Sequence, residues 1–435
     1  MDYLPNILFA IALIIGLGYF TKNIKKLRRN IKLGQDVDVS NNKSQRWKNM
    51  AMIALGQSKM VRRPVAGFLH VIVYVGFVVI NIEVLEIIID GLFGTHRIFS
   101  GIGSLYGILI GSFEILALLV FVAVIVFWIR RNIIKLKRFW KAEMTSWPKN
   151  DANYILYFEM VLMTLFLVMN ATDIHFQDMA SGNVVSQFIS PWFSSLSEHT
   201  IHLVERSAWW LHILGIMVFL NYLYFSKHLH ILLAFPNTYY GSLKAKGELN
   251  NLESVTKEVM LMMDPNADPF AAPAEGAEEE EPSKFGASDV QDLNWVQLLN
   301  AYTCTECGRC TSECPANQTG KKLSPRKIMM DTRDRLEEVG NNIDSNKGVF
   351  KEDGKQLLDD YITKEELWAC TSCNACVEAC PVSINPMSII LEMRRYLVME
   401  QSAAPTELNN MMTNIENNGA PWPYNQMDRL NWKEE

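Results

Sequence analysis

Eight cysteines offer the most chemistry in this sequence, and they fall in two identical runs. Cys304, Cys307, Cys310 and Cys314 form one run and Cys370, Cys373, Cys376 and Cys380 the other, each spaced C-x2-C-x2-C-x3-C and each followed by a proline, Pro315 or Pro381. Three thiolates two residues apart wrap a loop around one face of an iron-sulfur cubane, and the fourth, held just before a proline, reaches across to a second cubane. The spacing therefore predicts that Cys304, Cys307, Cys310 and Cys380 hold one 4Fe-4S cluster. Cys370, Cys373, Cys376 and Cys314 are predicted to hold the other. Paired C-x2-C units also suit zinc, but a third thiolate and a terminal Cys-Pro, both duplicated, favour the clusters. This use accounts for all eight cysteines. Such ligation suits a compartment where thiols stay reduced, not a secreted disulfide scaffold.

The elements around the cysteines read as helices. Between Cys314 and Cys370 lie 55 residues, too many for a small compact two-cluster protein. Ser324-Pro325-Arg326-Lys327 opens a helix, with serine before proline as a start signal. Lys364 to Ala369 leads helically into the second run, and Pro386 to Arg395 leaves it as another helix. Arg309 and the Arg394-Arg395 pair either pack near the anionic clusters or form a docking edge; solvated surface charge is the default for such residues.

The rest of the chain differs in character. Residues 1 to 250 carry 24 Lys and Arg against 15 Asp and Glu, while residues 251 to 435 carry 17 against 32. One half is basic and apolar, the other acidic. A single soluble globule is excluded, and the net charge of −6 argues against a nucleic-acid binder. Five apolar stretches approach the roughly 20 residues that cross a bilayer as helix: about 4 to 20, 66 to 89, 105 to 129, 154 to 172 and 207 to 226. The first has no basic lead and no small-residue cleavage site, so it reads as a retained anchor. Lys and Arg number 12 in residues 21 to 64 and 7 in residues 130 to 150, but one each in residues 90 to 104 and 171 to 206. Basic loops stay in the cytoplasm. The expected topology has the N-terminus outside and the acidic half inside, at the cytoplasmic (inner) membrane.

Histidines in such spans are costly and are commonly kept for a ligand or a proton. His70 lies on the second span near its cytoplasmic end, and His228 and His230 follow the fifth span at similar depth, with helical rise of about 1.5 Å per residue. Two imidazoles from separate helices at one depth make an axial pair for haem b. A polar contact between helices is the plainer alternative. His212, near the outer end of the fifth span, has no histidine at its depth on the second span, which carries Ile80 and Asn81 there. One haem is expected and a second is left open. His175, His199 and His202 in the outer loop read as interfacial, and His96 as structural or exposed. Glu83, Glu86, Glu114 and Glu159 lie in or near spans, where carboxylates mark proton or substrate paths, or else pair with Arg97 or a neighbouring helix.

Tyr239 to Met263 reads as an amphipathic stretch. Residues 264 to 281 hold seven acids and no Lys or Arg, a composition that stays extended by self-repulsion and serves as a tether. The expected organisation is a transmembrane domain over 1–240, the amphipathic stretch and acidic linker over 241–290, a dicluster domain over 291–400 and a tail over 401–435.

The Cys304 to Arg395 region resembles the α-helical ferredoxin domain of the C-type iron-sulfur polypeptide of heterodisulfide reductase and of the glycerol-3-phosphate dehydrogenase iron-sulfur subunit, notably in Ser324-Pro325-Arg326-Lys327 and Leu367-Trp368-Ala369-Cys370. Residues 1 to 240 resemble the five-helix cytochrome b subunit of respiratory nitrate reductase and of membrane-bound heterodisulfide reductases. The resemblance implies a mostly α protein: a five-helix transmembrane bundle plus a cytoplasmic α-helical ferredoxin domain with two 4Fe-4S clusters. It also implies haem b and exchange of electrons with membrane quinone. By it, His70, His212 and His230 match ligand positions, with His228 competing with His230. The family's second helix supplies two histidines and this one only His70. Related fused proteins carry cysteine-rich CCG domains for thiol chemistry, for which no cysteine remains here, so a cytoplasmic partner, a CCG-type subunit or a dehydrogenase, is expected to hold the substrate site. The rival readings are a haem-free tether for the dicluster module or a redox-sensing scaffold, and a proton-coupled pump using Glu83, Glu114 and Glu159.

Overall fold

In hydrocarbon every backbone amide must find its partner inside the chain, so an apolar stretch that long is driven into helix. The computed structural model describes residues 3–179, 181–245, 247–265 and 284–434. Its five long apolar helices are α1 (Leu4–Ile31), α2 (Pro64–Phe93), α3 (Ser104–Asn132), α4 (Trp147–Thr172) and α5 (Glu198–Tyr222). Prolines at the first turn open α1, α2 and α4, where the missing N–H costs nothing. Gly94, at φ +71°, closes α2 in the left-handed conformation that glycine adopts without strain. Each helix packs on the next in chain order, and α1 closes the ring between α2 and α5. Gly76 lets α2 and α3 approach, since a Cβ there would stand 2.4 Å from Val120 Cγ2. The bundle core gathers Phe9, Ile80, Tyr106, Ile110, Phe113, Phe166, Trp209 and Ile213.

The first helix departs from its expected bounds. The sequence marks its apolar part at about 4 to 20, but the helix runs on through the basic segment to Ile31. The reason is burial. Leu27 and Asn30 turn toward the acidic half, Asn30 donating to Tyr302 OH, and Leu27, 3% exposed, joins its core.

That second core is helical throughout, and no strand forms among the described residues. Helix α6 (His230–Tyr239) follows the fifth span. Then come α7 (Trp295–Thr303), α8 (Arg309–Glu313), α9 (Pro325–Ser345), α10 (Ala375–Ala379) and α11 (Pro386–Arg395). Ser324 caps α9 by accepting from Lys327 N, as its sequence indicates. Leu298, Leu323, Ile328, Leu336, Val339, Ile389 and Leu397 fill the interior, and Leu27 and Leu229 enter it from the membrane half. Ala287 and Val290, inside the stretch read as linker, are also buried there. The amphipathic reading of residues 239 to 263 corresponds to the end of α6 and a helix over Glu253–Met263. Most of the acidic linker, residues 266 to 283, lies outside the described residues.

Candidate redox centres

Helix α7, opened by a reciprocal Asn294/Gln297 capping box, delivers Cys304 at its C-terminal end. A second capping box, Thr363 with Glu366, starts the short helix Lys364–Trp368 that leads to Cys370. The two loops that follow share one backbone plan. Glu306 and Gly308 in the first, and Ser372 and Asn374 at the matching places in the second, all have φ between +52° and +69°. Such turns curl a short loop back on itself, so three thiols converge. At Gly308 a side chain is excluded twice over, by φ +69° and by Arg326 Nη1 at 2.6 Å from an added Cβ.

Helices α8 and α10 pack against each other, and each carries the last cysteine of its run toward the opposite loop. Cys304, Cys307 and Cys310 line one cavity together with Cys380, among Met329, Pro381 and Ile384. Cys370, Cys373 and Cys376 line a second with Cys314, among Leu323, Met387 and Ile390. Four thiols in an apolar, part-buried cradle fit a cubane's need for four thiolates and little else. Backbone amides point inward too: Ser372 N donates to Cys370 Sγ at 3.4 Å and Ile384 N to Cys380 Sγ at 3.3 Å. Burial pushes the Cys304 and Cys376 thiols up to about 12 and that of Cys380 up to about 11.

The two cradles differ in surroundings. Cys373 is exposed, so the second opens to solvent. The first lies against the membrane half. Arg309 donates to the carbonyls of Lys59 and Met60, both at 3.2 Å. Arg326, fully buried, donates to Arg138 O and Glu143 Oε1, each at 2.7 Å. Burial lowers the Arg138 guanidinium to about 10, although Cys307 opposes it. Solvated charge is thus the wrong default for Arg309, which is 4% exposed. It is wrong for Arg394 as well, whose guanidinium donates to Leu367 O and Cys370 O and lies over Trp368. Arg395 pairs with Glu392 at 2.7 Å.

Beside the first cradle three histidines meet. His70 on α2 and His230 at the start of α6 have ring centres 6.5 Å apart. Two imidazoles on opposite sides of one metal, each nitrogen about 2 Å from it, place their centres roughly 6 Å apart. His230 Nδ1 is hydrogen-bonded to Lys227 O at 2.9 Å, the backbone contact that commonly orients a ligating imidazole and leaves Nε2 for the metal. His70 Nδ1 is buried without a partner. His228 packs 5.5 Å from His230 and 5.9 Å from Phe219, and its Nδ1, also without a hydrogen bond, lies 4.0 Å from Glu159. Burial lowers the pKa of both His228 and His230, which favours the neutral form that ligation requires. His70 and His230 are therefore the two residues here whose spacing and ring orientation could hold a metal between them. His212 is not part of this group; it is buried on α5 against Phe166, 6.0 Å away.

The remaining candidates belong to the far end of the bundle. Arg97 donates to Asp173 at 2.8 Å and Asn170 at 2.9 Å. Glu86 accepts from Phe99 N and Tyr106 OH, and Glu114 from Asn170 and the amides of Val185 and Ser186. Glu83 is buried with one carboxylate oxygen lacking a partner. His96 pairs with Asp173 at 3.2 Å and stacks edge-on with His175; His202 lies 3.8 Å from Glu205.

One buried charge cluster carries little signal in the sequence. Glu306, between two ligand-position cysteines, is 4% exposed and takes Lys227 Nζ at 2.5 Å and Arg333 Nη1 at 2.8 Å. Burial raises its pKa, but Lys227 and Arg333 outweigh burial and hold the carboxyl below its ordinary value. Its position inside the first motif, and that of Lys227 beside His228, were the available signals.

Comparisons with known proteins support a dicluster domain in this part of the chain. Residues 303–384 match the family described as a 4Fe-4S dicluster domain. The chain is 28% identical to a probable iron-sulfur-binding oxidoreductase, FadF, of Bacillus subtilis, over 99% of this chain and 61% of that protein. It is 26% identical to an EtfAB:quinone oxidoreductase of Syntrophomonas wolfei, over 94% and 55%. It is 29% identical to the D polypeptide of the dihydromethanophenazine:CoB–CoM heterodisulfide reductase of Methanosarcina mazei, over 34% and 36%. The chain thus spans 61% and 55% of the length of the first two relatives. No solved structure matches it. With five membrane-length helices and a 4Fe-4S dicluster domain, the chain is similar to heterodisulfide-reductase-like membrane iron-sulfur proteins.

Proposed function

We propose that this chain is the membrane-anchored electron-transfer subunit of an oxidoreductase complex, passing electrons between a cytoplasmic partner, two 4Fe-4S clusters, haem b and membrane quinone. The observation that carries the reading is the juxtaposition of the first cysteine cradle with the segment bearing His228 and His230, through the Lys227–Glu306 contact at 2.5 Å. The assigned ligands are Cys304, Cys307, Cys310 and Cys380 for the cluster nearer the membrane half, and Cys314, Cys370, Cys373 and Cys376 for the outer one. His70 and His230 would hold one haem, which would supply one-electron chemistry at the bilayer's edge. Exposed Cys373 makes the second cluster the natural contact for a redox partner.

The sidedness proposed is the N-terminus outside and the dicluster domain in the cytoplasm. Its support is that this domain packs on the strongly basic segments, 21 to 64 and 130 to 150, through Asn30, Arg63, Arg138 and Glu143. Support for quinone as exchangeable substrate is the histidine group at the near end of the bundle and the Syntrophomonas relative, itself named a quinone oxidoreductase. The domain bounds proposed are 1–240, 241–290, 291–400 and 401–435, with substrate chemistry on a CCG-type or dehydrogenase partner.

The test is a reduced-minus-oxidised optical spectrum of the detergent-solubilised protein, wild type and His70→Ala, with and without a quinol. The expected result is a quinol-reducible b-type band that is lost in His70→Ala, with about eight iron atoms per chain in both. Eight irons and no haem would leave a tethered dicluster module and overturn the haem and quinone parts.

A further inference from the structure

A single residue touches both redox centres. The carbonyl of Lys227 holds His230 Nδ1 at 2.9 Å, and its ammonium reaches Glu306 Oε2 at 2.5 Å, within the loop between Cys304 and Cys307. Lys227 is itself fixed at further points. Its ammonium donates to Pro148 O at 2.6 Å, and its amide to Asp151 Oδ2 at 3.1 Å, while Asp151 Oδ1 accepts from Tyr222 OH at 2.6 Å. The side chains of Lys227 and Glu306 are 10% and 3% exposed. Arg333 closes the other side of Glu306 at 2.8 Å. A buried ion pair gains little net stability over apolar packing, because desolvation offsets attraction. A buried lysine, carboxylate and arginine across a domain junction therefore call for another reason.

We propose that Lys227 is a positioning residue that couples the two centres: its anchored backbone orients His230 toward the haem, and its ammonium offsets the Glu306 carboxylate beside the first cluster. The inference rests on the haem reading for its first arm only. Reduction of a cluster adds a negative charge, so an uncompensated carboxylate close by makes reduction harder. Each Glu306 oxygen has its own cation, Arg333 on Oε1 and Lys227 on Oε2, so loss of the ammonium removes the partner of Oε2. The second cluster, whose cradle is lined by neither residue, is the internal control.

The test is a redox titration of the full chain in detergent, following the clusters by electron paramagnetic resonance and the haem by its optical band and low-spin resonance. In Lys227→Met the midpoint of the first cluster moves negative and that of the second stays, and because the side chain no longer anchors this turn to Pro148, the carbonyl that holds His230 loosens and the haem resonance shifts or broadens. Lys227→Arg restores both signals toward wild type. Glu306→Gln, the variant that keeps Lys227 on Pro148 and Asp151, moves the first cluster positive and leaves the haem resonance alone. Equal shifts of both clusters, or wild-type signals throughout, would overturn the coupling. A wild-type protein without haem overturns the haem reading instead, and the two cluster shifts, of opposite sign in Lys227→Met and Glu306→Gln, still decide the second arm.

Discussion

The two ends of the membrane bundle both bury charged side chains, and they use them differently. At the far end Arg97, Glu86, Glu114, Asn170 and Asp173 all belong to the bundle and its own loops, and their partners include the amides of Phe99, Val185 and Ser186. They tie loop ends to helices. At the near end the partners cross to another domain: Lys227 to Glu306, Glu143 to Arg326, Arg63 to Glu313, and Arg62 to Glu378. There, too, His70, His228 and His230 gather. The difference teaches that burial of charge is not itself a sign of redox chemistry; what matters is whether the charges meet groups able to hold a cofactor.

The strongest way to break this contrast is at the cysteines. If each motif lends its last cysteine to the other, Cys380→Ser abolishes the resonance of the cluster nearer the membrane and spares the one at Cys373. Iron falls from about eight toward about four per chain. Loss of the other cluster would assign Cys380 to its own motif. The next largest effect separates the histidines. His70→Ala removes the haem band, whereas His212→Ala, on the helix face that meets Phe166, leaves it and affects packing alone. A band lost in both variants would extend the redox end across the membrane and dissolve the distinction between the ends.

The cysteine cradles were legible because spacing encodes them directly: the runs fix which thiols share a loop, and the terminal Cys-Pro marks the one that leaves. The five helices were legible because hydrocarbon leaves the chain no alternative. What the sequence hid was the junction. Thr21 to Ile31 reads as a basic loop, since Lys and Arg alternate with few apolar residues, yet tertiary burial of Leu27 and Asn30 extends α1 through it. Arg309 and Arg394 read as surface charge because composition cannot foresee backbone carbonyls from distant segments converging on a guanidinium. The meeting of His70 with His230 was expected from depth along the helices. The resemblance left His228 competing with His230; the Lys227 carbonyl that orients the His230 ring is a contact only the fold supplies.

At the far end the contrast is sharpened by Arg97, whose side chain is 11% exposed and whose partner Asp173 is 5% exposed. Removing one member of a buried pair leaves the other uncompensated, at a cost of about 3–5 kcal/mol. Arg97→Ala should therefore lower the thermal midpoint in detergent substantially while the iron content and optical spectrum of the folded fraction stay as in wild type. A spectral change at constant stability would assign this end a part in redox chemistry.

The smallest effect distinguishes contacts within one turn of α1. Arg29 and Lys26 both reach Asp344, which is 44% exposed, and water and salt screen such pairs to about 0–1 kcal/mol. Asn30, fully buried, donates to Tyr302 OH at 2.9 Å, and truncating a buried partner costs about 1–3 kcal/mol. Asn30→Ala should thus loosen the dicluster domain from α1 more than Asp344→Asn, as read by protease sensitivity of the α1 end. The Asp344 contribution has a sign that pH can check. Its hydrogen bond from Arg29, with Lys26 adding to it, holds the carboxyl below its ordinary value, so its small stabilisation is present above the ordinary Asp pKa of about 4 and fades as pH falls through the lower folded value. In high salt Asp344→Asn should become indistinguishable from wild type while Asn30→Ala keeps its effect, because screening weakens exposed ion pairs and leaves buried neutral hydrogen bonds alone.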